Sequence, residues 1–471
     1  MINASRPRRV YLPLRRTAVG GVRAGDPSAT GDPSHGLLGK LVLAGALPMF
    51  AQVFHYLNEL PPTYFLSKGW PFLTMPLAFY GMAQLRLPVR GVFFLVLAYT
   101  LSFTPFVSIL QLGNAFLDAL TTTIKVWPIT YYFSASVVLA LLAVPLQDVR
   151  KLVIAYGITT FSVMVLLFLF APVSWYSTKA GTGKLMLYEM ERGFRIYMPM
   201  FFGMILIFFL ARSSVMRRKA ILGVFALMCF LPLIFIYKQR IAIAAAFLVA
   251  AFGVVSSLPA QLRRVAYGLA LVAAVVGLVV LGQKAGLFGE DSGAIKESLG
   301  GSLTVRQNSL ALAFGFLGED PLRWAFGVGA TTRFSTVTLN DIFGNRQFFI
   351  SDLGWVGIIF EYGLVGAALL ALLYGSCLVY LHRVARASGD PLSFALADFV
   401  LYVLLTSTVY SVVFTPGELG VAMALGVYMD RCRKAATTPA PLAVPASFDI
   451  RQSRGKSHVS LGRITIPRRG G

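Results

Sequence analysis

The chain has 471 residues, of which 56% are hydrophobic and only 13% charged, and its mean hydropathy is +0.71. Soluble proteins carry roughly 25% charged residues, so the composition excludes a water-soluble enzyme, a collagen, a disulfide scaffold and a disordered chain. The formal charge of +22, from 42 Lys and Arg against 20 Asp and Glu, resembles a nucleic-acid footprint until the positions of the charges are considered.

The first segment, residues 1–36, carries Arg6, Arg8, Arg9, Arg15, Arg16 and Arg23 without an apolar run. It therefore reads as a basic cytoplasmic tail and not as a cleavable signal. Apolar windows bounded by polar or Pro/Gly breaks then follow at 37–57, 63–84, 91–112, 126–144, 152–171, 196–211, 220–237, 240–256 and 265–282. After a long polar interval come 354–381, 394–414 and 416–430. The expectation is an all-α polytopic membrane protein of about twelve transmembrane helices, since a span takes about 20 apolar residues. Spans one to nine occupy 37–282, a large and partly helical periplasmic loop occupies 283–353, and spans ten to twelve occupy 354–430. Residues 431–471, rich in Ala, Pro, Ser and Arg, read as a disordered basic cytoplasmic tail. Cys229, Cys377 and Cys432 lie in apolar spans or the basic tail, which suits neither a disulfide framework nor zinc.

With the N-terminus inside, alternation of sides puts 28 of the 42 Lys and Arg on the inner face. It puts only 7 of the 20 acids there, so almost all the excess charge is a topology signal facing anionic lipid. Nucleic acid is not needed to account for it. The expected location is a membrane, crossed several times, with both termini cytoplasmic.

Two outer segments, 172–195 and 283–353, are too long for turns, and long loops in compact proteins are usually functional or disordered. The second has Trp324, the pair Phe348-Phe349 and a helical apolar pattern at Leu310, Ala313, Phe314 and Leu317, which favours order. In Gly318-Glu319-Asp320-Pro321-Leu322, Asp320 is placed to cap a helix that Pro321 begins. The outer side has few histidines and no HExxH, DxD or paired Cys/His spacing, so no metal site is expected. It holds Arg192, Arg195, Arg240, Arg306, Arg323, Arg333 and Arg346. Guanidinium groups fork two hydrogen bonds onto phosphate or carboxylate oxygens, so an acidic or phosphorylated ligand is indicated.

Arg240 follows the short link Tyr237-Lys238-Gln239 and must begin its span near the membrane surface. It is either a snorkelling interfacial cation or one set at the depth of a lipid pyrophosphate, near a helix N-terminus. Arg306 begins a loop helix and is otherwise a solvated cation. Gly327-Val328-Gly329 exposes amides, as a structural turn or as a phosphate cradle. Arg192 and Arg195, three apart, share a face if helical, with self-pairing to Glu189 and Glu191 as the alternative. Asp352, just outside the tenth span, is an N-cap or a general base. Glu361, two turns deeper, requires a cation, expected from the outer arginines.

From Lys238 to Gly366 the order of these pieces resembles the bacterial O-antigen polymerase and O-antigen ligase family of membrane glycosyltransferases. The pieces are Lys238-Gln239-Arg240-Ile241-Ala242, Ser302-Leu303-Thr304-Val305-Arg306, Glu319-Asp320-Pro321-Leu322 with Gly327-Val328-Gly329, and Leu353 through Glu361-Tyr362-Gly363-Leu364-Val365-Gly366. The resemblance implies transfer of an undecaprenyl-pyrophosphate-linked oligosaccharide at the outer face, without cofactor or metal, with the lipid bilayer, a chain-length regulator and a flippase as further partners. It implies Arg240 and Arg306 with Asp352 as catalytic residues, and Arg192, Arg195, Arg240, Arg306, Arg333, Gly327 and Gly329 as pyrophosphate- or substrate-binding. Ligases of this family carry a His before a Gly-x-x-Gly stretch. Here the position eleven before Gly363 is Asp352, and no His occurs between His55 and His382. That departure favours a polymerase of O-antigen, capsule or exopolysaccharide. A ligase acting on another acceptor and a lipid-linked sugar transporter or flippase are the alternatives.

Overall fold

Prolines and glycines divide the apolar sequence into helices. The computed structural model describes residues 33–55, 57, 60–178, 185–189, 193–268, 301–329, 339–344, 348, 350–410 and 416–437. In chain order the first helices are α1 (Pro33–Phe50), α2 (Pro61–Leu73), α3 (Met75–Gln84) and α4 (Arg90–Leu112). The bent pair α5 (Phe116–Lys125) and α6 (Trp127–Leu142) follows, then α7 (Leu146–Phe170). A hairpin of β1 (Met186–Glu189) and β2 (Gly193–Ile196) precedes α8 (Phe201–Met216), α9 (Ala220–Tyr237), α10 (Arg240–Ser256) and α11, which is helical over the described residues 260–268. The long outer segment forms α12 (Gly301–Leu317), α13 (Pro321–Phe326) and α14 (Leu339–Phe343). The chain then ends in α15 (Trp355–Ser388), α16 (Pro391–Thr406) and α17 (Pro416–Thr437).

Helix starts follow proline chemistry. Pro61, Pro321 and Pro391 occupy first-turn positions, where the missing N–H has no intrahelical partner to lose. Asp390 caps α16 by accepting from the Ser393 amide (3.4 Å), and Asp320 caps α13 by accepting from the Leu322 amide (2.9 Å), the role its sequence setting indicates. Prolines farther in distort: the turn Tyr99–Phe103 just before Pro105, and the turn Leu233–Tyr237 just after Pro232, are both π-helical.

The chain is a predominantly helical membrane protein, but the expected twelve spans are not all present as continuous helices. Among the described residues α4, α7, α9 and α15 are long and apolar enough to cross a bilayer, and the α5–α6 pair, bent by 51°, makes a fifth if counted as one span. In α7 only 28% of the most apolar window is buried by protein, leaving a wide face for lipid. The expected span 63–84 is broken at Thr74, beside Pro71 and Pro76, into two short helices. The expected span 196–211 begins late, at Phe201, because residues 193–196 are a strand and Pro199 intervenes. Helices α8, α10 and α16 rise about 24 Å at 16 or 17 residues each, short of the roughly 30 Å hydrocarbon layer. The span expected at 265–282 and both basic tails fall almost entirely outside the described residues.

Helix α8 is central. Phe201 through Phe209 are all buried, with α7, α9, α10 and α16 packed around them, as befits a helix apolar on every face. A second group joins α3, α6 and α17, and Tyr132, stacked on Phe93 at 4.2 Å, anchors it to α4. The outer segment has its own apolar cluster against α15: Ala313, Leu317, Val328, Phe348, Leu353 and Phe360. Its helical pattern at Leu310, Ala313 and Leu317 is thereby explained, while Phe314 turns outward to stack on Trp324 at 5.8 Å.

Candidate functional site

The link between α9 and α10 places two cations at the end of an apolar groove. Because Pro232 donates no amide, the last turn of α9 widens, and the Lys238 amide reaches back to the Leu233 carbonyl (2.9 Å). Lys238 adopts a left-handed conformation (φ 56°), so the chain reverses in two residues and α10 starts at Arg240. Arg240 is exposed and forms no ion pair among the described residues. The N-cap Gln239 gives no side-chain cap, so the first amides of α10 open toward the same end. Between the two helices runs a groove of about 790 Å³, walled by Leu227, Leu231, Ile234, Ile243 and Phe247 and ending at Lys238 and Arg240. An apolar channel with two cations at its mouth has the polarity of a lipid carrying an anionic headgroup.

The β-hairpin lies beside this mouth. Its register pairs Leu187 with Arg195 and Glu189 with Gly193, so the expectation of Arg192 and Arg195 on one helical face is corrected: Arg195 stands on a strand. Its side chain is 4% exposed, 2.6 Å from Glu189 Oε1 and 4.1 Å from the Tyr197 ring centre. Tyr197 in turn meets Tyr237, at the end of α9, edge-on at 6.3 Å. Arg195 is therefore ion-paired inside the hairpin, and its contact with Tyr197 ties the hairpin to the link. Arg192 lies outside the described residues, as do Arg333 and Arg346.

In the segment before α15 the amides of Gly327 and Gly329 are already taken by backbone carbonyls, as the structural-turn alternative requires. The Gly327 amide donates to Arg323 O (2.8 Å), Val328 to Phe360 O (2.9 Å) and Gly329 to Glu361 O (3.1 Å). The Phe360 and Glu361 acceptors exist because α15 is broken at Gly363 (φ 68°, ψ −180°), which frees carbonyls of its first two turns. The Tyr99 hydroxyl satisfies a third by donating to Tyr362 O (2.6 Å). The contact is backbone on backbone: a Cβ on Gly327 would fall 2.6 Å from Glu361 O, and one on Gly363 would fall 2.2 Å from Ala325 O. Glu361 is 2% exposed at this break. Arg323 is used locally, donating to Phe316 O (2.9 Å) and lying 3.4 Å from Asp320 Oδ2.

Arg306 and Asp352 flank one turn. The Arg306 guanidinium lies over the Tyr410 ring at 5.1 Å and forms no ion pair among the described residues. Tyr410 closes the turn after α16, its amide donating to Thr406 O (2.9 Å). On the same turn rests Gly354, where a Cβ would come 2.6 Å from Thr408 O. Gly354, and not Asp352, is the N-cap of α15; Asp352 sits two residues earlier in a half-buried 3-10 turn. The cap expected of Asp352 is thus supplied by a backbone that only glycine adopts readily (φ 56°).

Arg240 and Arg306 are carried by different helices: α10 contacts α8 and α16, α12 contacts α15, and α15 packs on α16. Among the described residues no cluster of three or more His, Cys, Asp or Glu stands at metal-binding spacing. Window-by-window reading missed Arg212, counted only as an inner-side charge; it is buried against Asp398 in α16 at 2.7 Å. It also missed the contact of Lys68 Nζ with His55 Nε2 at 2.6 Å, in the connection after α1. Burial, reinforced by the Lys68 charge, pushes the His55 pKa down to about 3.

No protein-family model matches the chain, and no curated protein matches it in sequence.

Proposed function

We propose that the protein is a polysaccharide polymerase that moves an undecaprenyl-pyrophosphate-linked glycan onto another lipid-linked repeat unit at the periplasmic face of a bacterial inner membrane. The observation that carries this is the α9–α10 groove, apolar along its walls and closed at one end by Lys238 and Arg240. In this scheme the polyprenyl chain lies in the groove and the pyrophosphate meets Arg240 and the first amides of α10. Arg306, over the Tyr410 ring, meets the donor sugar's leaving oxygen. An acceptor hydroxyl attacks the anomeric carbon, the bond from that carbon to the pyrophosphate oxygen breaks, and undecaprenyl pyrophosphate leaves with the bonding pair. Asp352 takes the hydroxyl proton. Fixed guanidinium groups stabilise charge as it develops on the leaving group.

A transporter is the second reading, since broken helices such as α15 recur at transporter substrate sites. Here the freed carbonyls of Phe360, Glu361 and Tyr362 are taken by Val328, Gly329 and Tyr99, so the break serves packing of the outer segment. The deciding experiment supplies purified, reconstituted protein with lipid-linked repeat units and no nucleotide sugar. A ladder of products is expected. A single transfer to a different acceptor would instead make it a ligase, and vesicle uptake without bond formation a transporter.

A further inference from the structure

The opposite end of the bundle carries a second groove, independent of the glycan chemistry. It lies between the α3–α4 link and the far half of α15, has a volume of about 560 Å³, and is lined by Pro88, Val89, Leu372, Gly375, Val379 and Arg383 among others. Gly375, Val379 and Arg383 repeat at four-residue intervals, as do Leu372 and Ser376, so one stripe of α15 forms the floor. From Ala371 to Arg383 the helix rises about 18 Å, close to the roughly 15 Å of one leaflet's hydrocarbon layer. Leu372 and Val379 are 52% and 50% exposed, an apolar surface that acyl chains cover in a bilayer.

The headgroup end is basic and rigid. Arg383 is exposed at the groove, Arg86 and Arg90 flank Pro88-Val89, and none of the three forms an ion pair among the described residues. The nearby acid Asp430, which accepts from the Tyr380 hydroxyl (3.5 Å), is already neutralised by Arg433 at 2.7 Å and Lys434 at 2.5 Å. The groove's wall is held in an uncommon shape. Val89 has φ 59°, and the Tyr132 hydroxyl pins the link by donating to Pro88 O (2.5 Å). A β-branched residue in that region is a genuine outlier that its surroundings must enforce.

We propose that this groove is a binding site for an anionic phospholipid of the adjoining leaflet, one acyl chain along the α15 stripe and the phosphate against Arg383 with Arg86 and Arg90. Basic pockets between helices at a membrane surface select anionic headgroups in this way. A Cβ on Gly375 would meet nothing within 4 Å, and Gly375 lines the groove, so Gly375→Leu directs its side chain into the groove.

The test is native mass spectrometry of the full-length protein, delipidated and then titrated with phosphatidylglycerol or phosphatidylcholine. Wild type should retain phosphatidylglycerol over phosphatidylcholine. Arg383→Gln should weaken phosphatidylglycerol about fivefold without changing phosphatidylcholine. Gly375→Leu should abolish retention of phosphatidylglycerol while leaving the melting temperature unaltered. Equal retention of both lipids by wild type would overturn the proposal. So would an equal loss caused by Arg263→Gln, a basic residue outside the groove, because that would reduce the effect to general surface charge.

Discussion

Arg212 and Asp398 face each other inside the bundle as a two-point pair, with Nε and Nη2 of the guanidinium each donating to a carboxylate oxygen at 2.7 Å. Nη1 donates to Ser256 Oγ at 2.5 Å and to Ser257 Oγ at 3.1 Å, and the Phe394 ring lies 4.9 Å from the guanidinium carbon. Helices α8, α10 and α16 are thus joined through one side chain. Gly253 makes room for it, since a Cβ there would come 3.0 Å from Arg212 Nε. The two side chains are 3% and 4% exposed, so removal of either leaves a charge without its partner in a poorly solvating interior. Asp398→Asn and Arg212→Met should each destabilise the protein by about 3–5 kcal/mol. The double change Arg212→Met with Asp398→Leu should recover most of the loss, because no buried charge remains. Melting temperature in detergent measures this; wild-type melting of Asp398→Asn would show that the pair contributes little.

The Gly363 break predicts a sharp residue dependence. Gly363→Ala would put a methyl 2.2 Å from Ala325 O and 2.4 Å from Phe326 N, at a φ of +68°. Strain and the forced separation of the two backbones together cost about 3 kcal/mol or more. The turn at Gly327–Gly329 should lift from α15, uncovering the Phe360 and Glu361 carbonyls, and limited proteolysis should cut near Gly318–Ala330 faster than in wild type. Gly375→Ala, on the same helix but in open space, should leave both the cleavage rate and the melting temperature unchanged.

Hydropathy located most of the helical segments because burial in lipid or protein needs apolar residues in either case. It could not say where those segments break. Thr74 ends α2 through local proline geometry, and Gly363 interrupts α15 where remote residues supply donors to its freed carbonyls; a composition window contains neither. The cap at Asp320 was legible because donor and acceptor are two residues apart. For Arg195 the shared helical face fails because its segment pairs as a strand, whereas the alternative of pairing with Glu189 holds, since that partner lies only six residues away. Arg212 was misjudged because its partner Asp398 is 186 residues away, and a charge near a span's end resembles a topology signal until its neighbour is known. Arg240 was legible in position, while the groove it closes emerges only when α9 and α10 are set side by side.

His55 predicts a pH dependence of stability. Its pKa is held at about 3 in the folded protein against an ordinary 6.5, by burial first and the Lys68 charge second. Above pH 6.5 both folded and unfolded chains keep the ring neutral, and the group has no effect. Between pH 6.5 and about 3 the unfolded chain takes up a proton that the folded chain refuses, so stability falls as the solution is acidified. His55→Gln removes that titration. The drop in melting temperature between pH 7.5 and pH 4.5 should be smaller in the variant than in wild type; equal drops would mean that His55 protonates freely in the folded state.

The proposed chemistry separates the roles of the groove and of the two arginines. Arg240→Ala and Arg306→Ala should each lower turnover of lipid-linked repeat units by about 10²–10³-fold, the usual loss on removing one preorganised donor to developing charge. Arg240→Lys should also be impaired, since an ammonium does not reproduce the two-point contact with a diphosphate. Arg306→Lys should behave alike, for the same reason. Ala244→Phe, which narrows the apolar groove one turn beyond Arg240, should raise KM for the lipid-linked donor with little change in kcat, because polyprenyl binding is the same in ground and transition states. Asp352→Asn should lower kcat and leave KM unchanged if the carboxylate accepts the acceptor proton. Wild-type product ladders from both Arg→Ala proteins, at normal protein levels in the membrane, would remove the pyrophosphate-gripping mechanism, whatever Ala244→Phe does.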